Sequence, residues 1–236
     1  MNKQLYHLSK KEVEQQLETN FETGLSLDQV KTRREQNGEN KLLESKKRSI
    51  FLKFFDQFKD FMIVVLIAAA LISILAAKEY ANGLLIILIV VVNAILGVAQ
   101  EEKAEKALES IKALSSPHVT VLRENQESVI DVKDLVVGDV VLLVAGDYVP
   151  ADVRIIESIN LKIDESALTG EAVPVEKVST SLEGDDIPLG DRINLGFMST
   201  VVTYGRGKAV VADIGMQTEM GKIATFIANK LIHAKN

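Results

Sequence analysis

The sequence predicts a mixed protein: a two-helix transmembrane hairpin followed by a β-rich domain of distorted jelly-roll type, with helices from the N-terminus packed on it. Three observations carry this reading. Two apolar runs, Phe61 to Ala77 and Gly83 to Ala99, stand only five residues apart. Short alternating strand patterns fill residues 118 to about 215. The mean hydropathy of +0.14 sits beside 25% charged residues, a balance that a soluble domain joined to membrane segments explains.

Composition removes other classes. The net charge of −6 and the lack of a basic cluster interleaved with aromatics argue against a nucleic-acid partner. With no cysteine, a disulfide framework and thiolate metal sites are excluded. The first sixty residues are polar and helix-prone, with no early apolar core and cleavage site, so no secretory signal peptide is expected there.

In chain order, residues 1–45 read as a helical part, with helices from Lys10 to Leu17 and from Leu27 to Asn37. Ser26 with Gln29 three positions later has the form of a capping box. Residues 46–60 form a lead-in, and 61–77 and 83–99 are the two membrane helices, each about 25 Å long, at the low end of what a bilayer core requires. A pair of buried core helices is the alternative, but a soluble bundle would show polar faces. Lys41, Lys46, Lys47, Arg48, Lys53 and Lys59 precede the first run, and Lys103, Lys106 and Lys112 follow the second, against Lys78 alone between them. The positive-inside bias therefore places both termini in the cytoplasm. Asn93 is read as a structural hydrogen-bonding residue between helices.

Residues 100–114 continue as a helical stalk, with Ala104, Ala107, Leu108, Ile111 and Leu114 on one face and Glu102 placed to pair with Lys106. Ser115-Ser116-Pro117 ends it, and 115–236 form the β-rich domain. Val119–Leu122 and Ser128–Val132 flank a hairpin turn at Glu124-Asn-Gln126; Val140–Val144 and Ala209–Ala212 are further strands. Ser179 to Asp186 is a polar surface loop.

The chemistry-bearing stretch is Leu161-Lys-Ile-Asp-Glu-Ser-Ala-Leu-Thr-Gly-Glu-Ala-Val-Pro-Val-Glu-Lys177. Leu161, Ile163, Val173 and Val175 alternate with polar neighbours, so it reads as strand, turn, strand, with Gly170 supplying the freedom for a tight reversal. Glu171 then stands at the tip of a rigid β-turn. A carboxylate held so can orient a water for attack, given an electrophile from elsewhere.

Other chemistry is dismissed. Gly221-Lys222 lacks a phosphate-loop context, since Met216 stands where the first Gly belongs and Ile223 where Ser or Thr belongs. Gly205-Arg-Gly207 reads as a strand-to-strand turn. His7, His118 and His233 are scattered without ligand spacing. Asp147 and Asp152 read as turn-forming carboxylates in preference to metal ligands.

Taken in order, several segments resemble the actuator domain of P-type cation-transporting ATPases, most closely the calcium-pump branch. They are Gly24-Leu-Ser-Leu-Asp28, Asn37-Gly-Glu-Asn-Lys-Leu42, the run Val137 to Asp152, Asp164-Glu-Ser-Ala-Leu-Thr-Gly-Glu171, Asn194 to Thr200, Thr203 to Gly207 and Gly215 to Ala224. The resemblance implies the jelly-roll fold and a division of labour. A DKTGT aspartate in a separate domain takes phosphate from ATP with magnesium, and the actuator's Thr-Gly-Glu loop, here Thr169, Gly170 and Glu171, swings onto the aspartyl phosphate. It implies a multi-pass protein of a bacterial-type plasma membrane, with the lipid bilayer, a transported cation (calcium first) and the phosphorylation and nucleotide-binding domains as partners.

Two departures stand out: Ala172 where the family has Ser, and Met198-Ser199-Thr200 where Gly-Thr is usual. No DKTGT follows in this sequence, which therefore reads as the front part of a pump, truncated, excised or split, not expected to turn over alone and holding no cofactor of its own. Two further readings stay open: the same module of a sodium, proton or manganese pump, and a non-catalytic membrane-anchored regulatory β-domain.

Overall fold

The computed structural model describes residues 5–42, 49–76, 78–114, 117–184 and 186–233. Lys46, Lys47, Arg48, Ala77, Ser115 and Ser116 lie outside them. The chain divides into two compact units, one of Met1–Glu44 with Pro117–Asn236, the other of Ser45–Ser116.

The first unit is built on an antiparallel sheet. Its strands are β1 (His118–Arg123), β2 (Gln126–Asp131), β3 (Val140–Val144), β4 (Asp152–Asp164), β5 (Val175–Glu176), β6 (Leu195–Gly196) and β7 (Val201–Asp213). The spatial order is β2-β1-β3-β7-β4-β5, with β6 pairing β4. The predicted hairpin turn is present: Glu124 and Asn125 both take positive φ, 49° and 61°, which matches the twist of the two strands. Alternation sends Val121, Val141, Leu143, Val153, Ile155, Leu161, Ile163 and Val211 into one fully enclosed core. Leu122, Val140, Ile156 and Val210 form a second core, covered by Leu5, Val13 and Phe21 of the N-terminal segment.

The two predicted N-terminal helices are α1 (Lys10–Gln16) and α2 (Leu27–Asn37). Both start in capping boxes, Ser26 with Gln29 as expected and Ser9 with Glu12 besides. They attach differently. Helix α1 buries Val13, whereas α2 buries no residue and is held by Arg33, whose guanidinium donates to the carbonyls of Val137 (2.8 Å) and Leu17 (2.8 Å). Arg154, buried in β4, donates to Leu5, Leu8 and Thr180 carbonyls and so ties the N-terminal segment and the 178–182 loop to the sheet. Asn40 does similar work with both ends of its amide. It donates to Val132 (3.1 Å) and Pro150 (2.9 Å) and accepts from the Gly215 amide at 2.8 Å.

One turn expectation is corrected. Gly205–Gly207 is not a strand-to-strand turn but lies inside β7, where the ladder with β4 slips between Ile159 and Lys162. The bulge holds Gly205 at φ +74°, and a Cβ there would stand 2.2 Å from the Asn160 carbonyl oxygen.

The second unit is helical: α3 (Ile50–Gln57), α4 (Phe61–Leu75) and α5 (Tyr80–Leu114). Residues read as a lead-in thus contain a helix of their own. It meets α4 at a bend of 68°, where Asp60 caps α4 by accepting from the Met62 amide at 2.8 Å. Of these helices, α5 by itself is long and apolar enough to cross a membrane, over Tyr80–Leu108; α3 and α4 reach that test only when counted as one bent span. At 15 residues α4 measures about 22 Å, short of a hydrocarbon core.

Helices α4 and α5 run in opposite directions, since Gly83 abuts Ile74 while Gly97 abuts Gln57. A Cβ on Gly83 would lie 2.3 Å from the Ile74 side chain, so the glycine sets the close approach. Val90, Ala94 and Val98 continue that buried line. Asn93 is on the exposed side, off this interface. Lys53 of α3 is 3% exposed and pairs with Glu102 (2.8 Å) and Glu105 (2.7 Å) of α5. It is therefore an interhelical clamp and not a free flanking charge. The stalk's Ala104, Ala107 and Leu108 are exposed, so α3 engages its acidic side and not that apolar face.

Candidate functional site

Glu171 and its neighbours sit between β4 and β5, which pair antiparallel at Lys162–Glu176 and Ile163–Val175. Strand, reversal and strand are thus present, but the reversal is not a tight β-turn. After β4 the chain makes a single helical turn, α6 (Ser166–Thr169), and Gly170 ends it in the left-handed conformation, φ +79° and ψ 0°. A residue with a Cβ would be strained there, which explains Gly170 at this place. Val173 is 75% exposed and belongs to the protruding tip, not to a strand.

Side-chain hydrogen bonds shape the tip from below. The Asp164 carboxylate accepts from the Ser166 amide at 2.9 Å, starting the turn, and hydrogen bonding from the Ser166 side chain together with that amide holds its pKa below the ordinary range. The Thr169 hydroxyl donates to the Glu165 carbonyl at 3.0 Å. The same hydroxyl oxygen accepts from the Glu171 amide at 3.3 Å. Thr169 therefore links Glu171 to the base of the loop, while Gly170, Glu171 and Ala172 face solvent. The three predicted site residues are contiguous, and the carboxylate of Glu171 points to no fixed protein partner among the described residues. Such a group can accept a proton from a water delivered with an outside electrophile.

The base holds two groups to which the sequence reading assigned no role. Glu165 and Lys177 form an ion pair at 2.7 Å, with side chains 1% and 0% exposed. Neither charged group has a further hydrogen-bond partner among the described residues. Burial pushes the Glu165 carboxyl up and the Lys177 ammonium down, each against its partner's attraction. Lys177 also lies 5.9 Å over the Phe197 ring. Its backbone is fixed by its amide donating to Leu161 (2.8 Å) and its carbonyl accepting from the Ser158 hydroxyl (2.6 Å). A signal existed in the alternation: Leu161 and Ile163 point inward, so the same phase carries Glu165 inward and demands a cation.

The remaining sequence candidates are structural. Asp147 accepts from the Val144 amide at 2.9 Å, as a turn residue does. Asp152 is not in a turn: it opens β4, is buried, and accepts from the Met198 (2.9 Å) and Glu219 (2.8 Å) amides. It thereby caps helix α7 (Glu219–His233), and burial raises its pKa to about 6. Thr218 accepts from the Gly221 amide at 3.0 Å and donates to Gly215 at 2.7 Å; Gly221 packs on that same turn, and Lys222 pairs with Glu219. The Gly215–Lys222 stretch is thus a helix start and not a phosphate loop. His7 meets the Leu182 carbonyl at 2.9 Å, and His118 opens β1. Among the described residues no group of three His, Cys, Asp or Glu could hold a metal ion.

Comparison with known proteins adds two family models. Residues 113–228 match the P-type ATPase actuator domain, and residues 5–73 match the cation transporter/ATPase N-terminus. The chain is 50% identical over 209 residues to a calcium-transporting ATPase of Bacillus subtilis, covering 89% of this chain and 23% of that protein. It is 41% identical over 224 residues to calcium-transporting ATPase 1 of Lactococcus lactis, covering 95% and 25%. A sodium/potassium exporting P-type ATPase of Schizosaccharomyces pombe is 40% identical over 228 residues, covering 96% and 22%. The chain spans about a quarter of the length of these relatives, at their N-terminal part.

Proposed function

The chain belongs to the P-type cation-transporting ATPases, and on that premise we propose that it is the actuator and leading membrane portion of an ATP-driven cation pump, most simply one for calcium efflux. The observation that carries this is the exposed Glu171 carboxylate on a tip whose base is buried and fully tied down. In the complete pump, ATP and magnesium phosphorylate an aspartate of another domain. The Thr169–Glu171 tip then docks on the aspartyl phosphate. A water oxygen bonds to phosphorus, the bond from phosphorus to the aspartate oxygen breaks, and the water proton passes to Glu171. Inorganic phosphate and the free aspartate result. Exclusion of bulk water by docking would sharpen both the alignment and the basicity of the carboxylate.

The bent α3–α4 pair and α5 act as a membrane hairpin with both termini cytoplasmic, α5 runs on past the apolar stretch as a stalk, and the strands of the β unit fold as a jelly roll. Calcium is favoured by the names of the relatives from Bacillus and Lactococcus. A pump for sodium or potassium is the second reading, favoured by the Schizosaccharomyces relative.

The test is a chimera in which this chain replaces the matching N-terminal quarter of the Bacillus subtilis calcium-transporting ATPase. Glu171→Gln keeps the tip's shape and removes the base. Phosphoenzyme should form from ATP and then persist, its decay slowed on the order of 10²-fold or more. Decay at the parent rate would reduce Glu171 to a turn residue, and ion-uptake assays on the parent chimera would decide between calcium and sodium.

A further inference from the structure

We propose that the buried Glu165–Lys177 pair is a positioning clamp for Glu171, one that sets the rate of phosphoenzyme breakdown through the tip's geometry. This rests on the assignment of Glu171 as the water-activating group. The two partners flank the tip: Glu165 stands just before α6, and Lys177 follows β5 directly. Their 2.7 Å contact closes the loop at its neck. From there a continuous path runs upward. The Glu165 carbonyl accepts from the Thr169 amide at 2.9 Å and from its hydroxyl at 3.0 Å, and that hydroxyl oxygen takes the Glu171 amide.

Beside this path, the Gly170 amide donates to the Ser166 carbonyl at 2.9 Å and Leu168 packs on the Tyr6, Leu195 and Phe197 cluster. Apart from its own chain neighbours, no described atom lies within 4 Å of where a Cβ on Gly170 would be, and Glu171, Ala172, Val173 and Pro174 are all exposed. An exposed tip takes its orientation from its neck. Glu165 and Lys177 touch no reacting atom, so they are positioning residues. The two-residue β5 supplies little ladder of its own, pairing β4 at two positions. The neck is therefore held by the ionic contact together with the Lys177 backbone bonds to Leu161 and Ser158.

A buried ion pair can often be replaced by apolar side chains without loss of stability, whereas removing one partner leaves an uncompensated charge. That asymmetry separates positioning from plain stability. In the same chimera, Glu165→Leu with Lys177→Met should keep the melting temperature and the level of phosphoenzyme formed from ATP. Its phosphoenzyme should nevertheless decay about tenfold more slowly, because small misplacements of a catalytic group cost rate steeply. A double variant that melts and decays like the parent would overturn the clamp.

Glu165→Gln leaves the buried Lys177 without its counter-charge and should lower the melting temperature where the double variant does not. Should either variant fail to phosphorylate, amide hydrogen exchange on the 236-residue chain in detergent micelles decides. Exchange at Thr169, Gly170 and Glu171 should quicken about tenfold or more in the variants, and unchanged protection in a folded variant refutes the clamp. The Glu171→Gln chimera keeps the two claims apart. If it decays at the parent rate, the catalytic assignment fails, while exchange still reports whether the pair governs the tip.

Discussion

Among the described residues each unit has one buried lysine facing glutamate, and the two arrangements differ in a way that teaches what each is for. In the β unit, Lys177 and Glu165 are both sealed, eleven residues lie between them, and neither charged group has another hydrogen-bond partner among the described residues. In the helical unit, Lys53 is sealed but its two carboxylates, Glu102 and Glu105, are 30% and 43% exposed. The first pair closes a short loop from inside the folded unit. The second joins α3 to α5 across nearly fifty residues of sequence, and its acids keep contact with solvent. A sealed pair tolerates no half-measures, because an unpaired charge left inside is costly. A solvent-edged cluster can lose its lysine and let water take its place.

Single truncations should break the symmetry between them. Lys177→Ala leaves Glu165 buried alone and should cost about 3–5 kcal/mol in thermal or denaturant unfolding of the chain. A loss as small as that of a surface pair would mean the neck relaxes to admit water.

Asp152 offers the intermediate case, a buried carboxylate whose described partners are two backbone amides. Its folded pKa of about 6 lies above the ordinary value. Between those two pH values the unfolded chain is ionised while the folded chain holds the proton. Stability from this group is therefore present at low pH and lost as pH rises, on the order of 2–3 kcal/mol between about pH 4 and 6. Asp152→Asn should flatten the melting temperature across that window relative to the parent; parallel curves would show that the carboxylate titrates normally.

Lys53→Ala should lower the melting temperature less than Lys177→Ala, with a loss that shrinks further as salt is added. Salt-independence would place the acids in a drier setting than their exposure indicates. The smallest effect belongs to the tip. Ala172→Ser restores a hydroxyl at an exposed position, and one hydrogen bond contributes about 1 kcal/mol net. Phosphoenzyme decay in the chimera should therefore change severalfold at most, with unfolding unmoved.

Legibility followed the range of the interaction. The capping box at Ser26 and Gln29, the hairpin turn at Glu124-Asn125 and the apolar phase of Leu161 and Ile163 involve neighbours within four residues, and all stand in the structure as read. The strand-and-reversal form around Glu171 was legible too, but its tip was misread as a β-turn. A short helical turn ending in a left-handed glycine uses the same residues, Ser, Thr and Gly, that a β-turn prefers. The expectation at Gly205–Gly207 failed for a related reason, since two glycines mark a bulge as readily as a turn.

The sequence by itself determined the kind of each segment: which runs are apolar throughout, which alternate, where caps and glycines interrupt them, and which three residues carry a carboxylate to a tip. Those properties are set by backbone geometry and side-chain chemistry within a turn or a pleat. Tertiary structure alone decided who meets whom. Glu165 finds Lys177 because β5 folds back on β4, and Asn40 joins residues 132, 150 and 215. Lys53 turns from a flanking charge into a clamp because α3 bends by 68° from α4 and lies on α5. Strand register and helix direction create these meetings, and each bulge or bend resets the phase, so no local pattern in the chain records them.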